Sequence, residues 1–155
     1  MSVPLPTGLA PRSADHPVRE VYDQHGRLDR LCRELEAIAD ELPRACPERC
    51  GRAAAELETF VPAHHAFEAG VFAEALAGTD AALLKRIAGQ HVEDEGLAFE
   101  IALALEPVAA GAPPEQPETL GYMLRAFFNS CRRTMLVEEL ALQSVMPTAS
   151  REGWR

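Results

Sequence analysis

Pairs of histidine and glutamate at helical spacing are the residues of this sequence best suited to chemistry. His64 precedes Glu68 by four residues, and His91 precedes Glu95 by the same interval. Because residues four apart lie on one face of a helix, each pair presents an imidazole and a carboxylate together. Imidazole combined with carboxylate suits iron, manganese or zinc. The pattern therefore predicts a cation site.

These polar residues interrupt apolar stripes that otherwise have the spacing of buried helix faces. Two single residues, His25 and Glu138, interrupt such stripes in the same way. Their apolar neighbours at helical spacing are Val21 and Leu28 in the first segment, Val61 and Val71 in the second, Ile87 and Ala98 in the third, and Leu142 in the fourth. Each inward carboxylate carries a desolvation penalty of several kcal/mol unless a charge compensates it. Since the arginines and lysines fall mostly off these stripes, a bound cation would supply the missing positive charge.

Four helical segments must position these residues. Turn signals predict helices from about Pro17 to Leu42, from Arg52 to Ala77, from a cap at Thr79 or Asp80 to Glu106, and from Pro117 or Glu118 to Val145. Pro62 predicts a kink in the second helix. The first two loops are short enough to make successive helices antiparallel. The sequence thus predicts an all-α, up-down-up-down antiparallel four-helix bundle over residues 17–148, with a flexible arm at 1–16 and a tail at 149–155.

The height of each polar residue can be counted along such a bundle at a rise of about 1.5 Å per residue. All the inward histidines and glutamates then fall within a slab about 10 to 12 Å thick. Random placement would scatter them along the full length of the helices. The predicted metal ligands are His25, His64, Glu68, His91, Glu95 and Glu138.

Composition excludes several other classes of function. The 155 residues carry a net charge of -9, and such an acidic surface repels nucleic acid and anionic membranes. No stretch approaches the roughly 20 apolar residues of a spanning helix, and the first residues lack the pattern of a secretion signal. We therefore expect a cytoplasmic protein. Cys46 and Cys50 have the spacing of a metal or redox pair, but no second pair lies nearby in the sequence.

At these residues the sequence resembles the hemerythrin-like, or HHE cation-binding, family. The matching segments are QHGRL around His25, PAHHAFEAGVF around His64, GQHVEDE around His91 and TMLVEELALQSVMP around Glu138. The resemblance covers about residues 17–148 and implies a non-haem centre of two iron ions, with manganese or zinc as alternatives. It implies that His25 and His64 bind one iron and that His91 and Glu95 bind the other. Glu68 and Glu138 would bridge the two ions.

Thr134 departs from the family pattern. It occupies the position where the fourth helix normally donates a histidine. A water molecule, His65 or Glu139 would have to replace the missing histidine ligand. His65 and Glu139, however, each point about 100° away from the neighbouring residue of the apolar stripe.

Three functions follow from this reading. The first is an iron protein that binds or senses dioxygen or iron. The second is a degenerate bundle with one metal ion or none, acting as a regulatory or interaction module. The third, a metal-dependent oxidoreductase resembling carboxylate-bridged di-iron enzymes, would need an accessible substrate pocket. No nucleophile with a base, phosphate loop or nicotinamide fingerprint is present, so we interpret the chain as a binding protein rather than an enzyme. The sequence leaves homodimer formation open.

Overall fold

The chain folds into four long helices. The computed structural model describes residues 15–146, and among these it contains helices α1 (Asp15–Glu41), α2 (Pro47–Ala75), α3 (Ala81–Ala109) and α4 (Pro117–Val145), without a strand. The predicted all-α four-helix bundle is confirmed. Most of the predicted arm and the whole predicted tail lie outside the described residues.

Some helix ends differ from the sequence prediction. Helix α2 begins at Pro47 instead of Arg52. The reason is that a proline in the first turn has its φ already set and needs no hydrogen-bond partner for its nitrogen. Helix α3 continues past Glu106 to Ala109 with Pro107 inside its last turn. It ends before Gly111, whose φ of 91° reverses the chain.

The helices pack as neighbours in a closed antiparallel arrangement. Short connections at 42–46, 76–80 and 110–116 join them, and α1 packs against both α2 and α4, while α3 packs against the same two helices. No helix within residues 15–146 combines the length and the apolar character that crossing a membrane requires.

Two apolar clusters divide the interior. The larger cluster contains Leu28, Val61, Ala98 and Met135, one from each helix. The smaller cluster contains Val21, Val71, Ile87 and Ala141, again one from each helix. On every helix the buried histidines and carboxylates lie between these two sets of positions. The fold therefore holds a polar layer between two apolar layers.

Candidate metal centre

His25 of α1 lies at the middle of the polar layer. Its Nε2 donates to Glu68 Oε1 at 2.6 Å and lies 3.2 Å from Glu138 Oε2. Its Nδ1 donates to Glu139 Oε1 at 2.8 Å. One imidazole thus joins a carboxylate of α2 to two carboxylates of α4.

His64 approaches the same carboxylate from its own helix. Its Nε2 lies 3.2 Å from Glu68 Oε2, but neither atom has a hydrogen-bond partner although both are buried. Its Nδ1 donates to Gln24 Oε1 at 2.9 Å. The ring therefore directs its unprotonated Nε2 at the Glu68 carboxylate.

His91 of α3 completes the layer. Its Nε2 donates to Glu138 Oε1 at 2.6 Å and lies 3.4 Å from Glu68 Oε2. The ligand atoms of His25, His64 and Glu68 lie within 4.8 Å of one another, and so do those of Glu68, His91 and Glu138. Two groups of three possible ligands therefore share Glu68.

Gln24 and Glu139 fix two of these rings from outside. Each accepts the Nδ1 proton of one histidine, Gln24 from His64 and Glu139 from His25. Metal-binding histidines usually donate their second N–H in this way, which sets the tautomer that leaves the other nitrogen for the metal. Sequence reasoning did not identify Gln24, although it directly precedes His25.

Burial and hydrogen bonding shift the histidine pKa values in opposite directions. Burial disfavours a charge on His25, but hydrogen bonds to Glu138, Glu68 and Glu139 outweigh it and raise the pKa of His25 to about 10. Burial, with the positive charge of His25 nearby, lowers the pKa of His64 to about 4. Without a metal, His25 is therefore an imidazolium and His64 a neutral ring.

The two central carboxylates also differ. Burial raises the pKa of Glu68, with the charge of Glu138 adding to the effect. At Glu138 burial acts in the same sense, but hydrogen bonds from His25 and His91 outweigh it and lower the pKa. One proton on His25 thus compensates part of the negative charge that a cation would otherwise balance.

Glu95 lies outside this cluster. Its carboxylate accepts a hydrogen bond from His65 Nδ1 at 3.0 Å, and its side chain is 41% exposed. His65 is buried and stacks on the His91 ring with centroids 4.0 Å apart. The structure therefore brings together five of the six predicted ligands and places Glu95 beside His65.

Thr134 is only partly buried. It lines a surface groove of about 220 Å³ between α3 and α4, together with Gln90 and Ser130. The fourth helix contributes Glu138 to the centre, but the position of the family histidine offers only a hydroxyl.

Asp94 is a buried carboxylate that sequence reasoning missed. It is 2% exposed, and its Oδ1 accepts hydrogen bonds from Ser130 Oγ at 2.8 Å and Gln90 Nε2 at 3.0 Å. Burial raises its pKa against the effect of these two donors. Its spacing of three residues from His91 places both on one helix face, which is the signal that could have found it.

The donor set fits a cation. The unprotonated Nε2 of His64 and Glu68 Oε2 direct lone pairs into the same space at 3.2 Å. Two lone pairs at that separation repel each other, and in a buried site this repulsion is poorly screened. A metal ion bound by both atoms would turn the repulsion into two coordinate bonds.

Comparison with known protein families supports this chemistry. Residues 16–145 match the hemerythrin HHE cation binding domain. The chain belongs to the hemerythrin HHE cation-binding family. Its matched region spans all four helices and every residue of the polar layer of this hemerythrin-like bundle. No curated protein and no solved structure matches the chain.

Membership of the hemerythrin-like family implies binding of a metal cation, and the polar layer contains groups that could hold one. Among the described residues, the buried histidines and glutamates of this layer are the side chains that could bind the metal ion.

Proposed function

We propose that this hemerythrin-like protein holds two non-haem iron ions bridged by carboxylates and uses them to bind or sense dioxygen or iron. The sharing of Glu68 between two groups of ligand atoms is the observation that carries this proposal. Inward carboxylates from several helices are the usual way in which a bundle holds a pair of iron or manganese ions.

The ligand assignment follows the contacts. His25, His64 and Glu68 form the first position, and Glu68, His91 and Glu138 form the second. Glu138 also reaches both sides, because its Oε1 contacts His91 and its Oε2 contacts His25. Both predicted bridging carboxylates thus have one oxygen near each half of the centre. Glu95 would have to leave His65 before it could bind a metal.

Apolar side chains shield the first position. Phe60 stacks on the His64 ring with centroids 5.5 Å apart, and Leu28 and Phe127 are buried in the adjoining apolar cluster. Bound iron would supply the electrons for dioxygen chemistry. These residues would exclude water from it, because a dry apolar shell limits solvent access.

A second function has its own supporting observation. His25 joins Glu68, Glu138 and Glu139 in one network of short contacts. Together with Thr134 at the family histidine position, this network favours a bundle that holds one ion or none and serves as a regulatory or interaction module.

Anaerobic loading with ferrous iron separates the two functions. The di-iron proposal expects about two irons per chain and, on admission of air, near-ultraviolet and visible charge-transfer bands. A zinc-loaded sample is the control, since Zn²⁺ has no redox chemistry and gives no such bands. One iron or none, without bands, would reject the di-iron proposal and support the degenerate bundle.

The cytoplasmic location, the role as a binding protein rather than an enzyme, and homodimer formation stay predictions. Sedimentation of the metal-loaded chain tests the last of these directly.

A further inference from the structure

The second metal position has fewer histidines than the first. His25 and His64 serve the first position, whereas His91 alone serves the second. Thr134 cannot make up the difference, because a neutral hydroxyl is a weak ligand beside imidazole and carboxylate. The second position therefore needs a further group from this chain.

We infer that Asp94 supplies this group and binds the second metal ion through Oδ2. The inference rests on the proposed function, because it assigns a ligand to one of the two proposed ions. The observations that carry it are the burial of Asp94, its unpartnered oxygen and its position one turn from His91.

Three buried side-chain atoms of the described residues have no hydrogen-bond partner, and two of them belong to the candidate ligand groups. Among residues 15–146, the buried side-chain nitrogen and oxygen atoms without a hydrogen-bond partner are His64 Nε2, Glu68 Oε2 and Asp94 Oδ2. The first two belong to the proposed ligand groups. A buried polar atom without a partner is costly, so native proteins rarely keep one without a reason. Two bound metal ions would satisfy these atoms by the same chemistry, the first ion those of His64 and Glu68 and the second that of Asp94.

The other oxygen of Asp94 is held in place. Ser130 and Gln90 both donate to Oδ1, and Gln90 also donates to Ser130 at 2.9 Å. Carboxylates that bind metals are commonly held in this way by hydrogen bonds from a surrounding shell of residues. This triangle fixes the carboxylate and leaves Oδ2 as the free donor atom.

The charges of the centre also affect the pKa of Asp94. His91 lowers its pKa and Glu138 raises it. Ser130 lies one turn before Thr134 on α4, and its hydrogen bond to Oδ1 holds Asp94 beside this part of α4. Asp94 and Thr134 therefore lie on the same side of the bundle, where α3 packs against α4.

A purely structural role is the competing explanation. Asp94 would then only tie α3 to α4 through Ser130. The two explanations differ for variants that break this tie in different ways. Asp94→Asn keeps an acceptor for Ser130 and Gln90 but removes the charged oxygen, whereas Ser130→Ala removes the tie and keeps the carboxylate.

The experiment counts Co²⁺ ions bound per full-length chain by anaerobic titration against a chelator, with thermal unfolding of the metal-free chain as the second readout. We expect two ions for the unaltered chain and for Ser130→Ala. For Asp94→Asn we expect loss of the second ion or at least about a tenfold weaker second step. Adding Thr134→His to Asp94→Asn should restore that step, because an imidazole then serves the same side.

Three results would overturn the inference. Full binding of both ions by Asp94→Asn would show that Oδ2 is not a ligand. Equal losses in Asp94→Asn and Ser130→Ala, with matching falls in thermal stability and no rescue by Thr134→His, would show a structural tie. Fewer than two ions in the unaltered chain would reject the proposed function, and the inference with it.

Discussion

The two halves of the candidate metal centre are built differently. In the half formed by α1 and α2, His25 and His64 both point Nε2 inward, and Glu139 and Gln24 hold their Nδ1 atoms from outside. In the half formed by α3 and α4, the ligand group of Glu68, His91 and Glu138 contains a single histidine. Thr134 occupies the position where the family has a second one. The rings of the first half are already oriented, although His25 must lose a proton before its Nε2 can bind a metal, whereas the second half depends on carboxylates.

This difference predicts unequal affinities. Ligands that are already oriented lose little conformational entropy on binding, and imidazole binds divalent iron, cobalt and zinc well. We therefore expect the first ion to enter between α1 and α2 and the second to follow between α3 and α4.

Removing the shared carboxylate should have the largest effect. Glu68 is fully buried and belongs to both groups of ligand atoms, so Glu68→Gln should abolish tight binding of both ions. Metal analysis after gel filtration measures this. Two ions retained by Glu68→Gln would contradict the shared role.

A matched variant in the apolar cluster provides the control. Leu105 is fully buried in the larger apolar cluster and has no polar contact with the centre. Leu105→Ala should lower the free energy of unfolding by about 2 to 5 kcal/mol and leave the metal content unchanged. Denaturant unfolding and metal analysis of the same sample distinguish lost stability from lost ligands.

Removing one histidine from each half should have the next largest effect. His91→Ala should retain the first, tighter ion and lose the second, because the ligands of α1 and α2 stay intact. His64→Ala should lose the tighter step. Titration with Co²⁺ distinguishes the two variants. Equal Co²⁺ binding curves for His91→Ala and His64→Ala would show that the halves do not differ.

Restoring the family histidine should make the halves more alike. Thr134→His should strengthen the second binding step by about tenfold or more, by analogy with the 10- to 100-fold effects of residues around metal sites. The first step should not change. A weaker second step, or a change confined to the first, would contradict the assignment of Thr134 to the second half.

The pH dependence of the metal-free chain tests the charge states of the buried histidines. The pKa of His25 is about 10 in the folded chain against an ordinary value of 6.5, so its contribution to stability is complete below pH 6.5 and lost as the pH rises towards 10. The pKa values of His64 and His65 are lowered to about 4 and about 3. Since the unfolded chain then binds protons first, stability also falls as the pH drops below 6.5.

Denaturant unfolding in the presence of a chelator checks this profile. We expect a maximum near neutral pH and an alkaline slope of at most about 1.4 kcal/mol per pH unit from His25. The slope should become shallower in His25→Asn, where the raised pKa of His91 still contributes. A flat profile between about pH 6.5 and about pH 9 would contradict the paired imidazolium.

The sequence predicted the bundle well because its apolar spacing is strongly periodic. It also placed His25, His64, Glu68, His91 and Glu138 at one level, and the structure brings these five together. Periodicity did not distinguish Asp94 from Glu95, because positions three and four residues after His91 lie on nearly the same face of the helix. Packing against Ser130 and Gln90 makes Asp94 the buried one.

Long side chains explain the other differences. Gln24 and His65 start off the inward stripe, yet Gln24 reaches His64 and His65 stacks on His91. Sequence spacing locates a Cα atom but does not give the direction of a side chain with several rotatable bonds.

Calorimetric titration of the metal-free chain with ferrous iron under anaerobic conditions tests the central claim most directly. We predict two ions per chain, the first bound at least about tenfold more tightly than the second, with release of the His25 proton on loading. A single ion, no ion, or two ions bound with equal affinity would contradict a centre of two unequal halves.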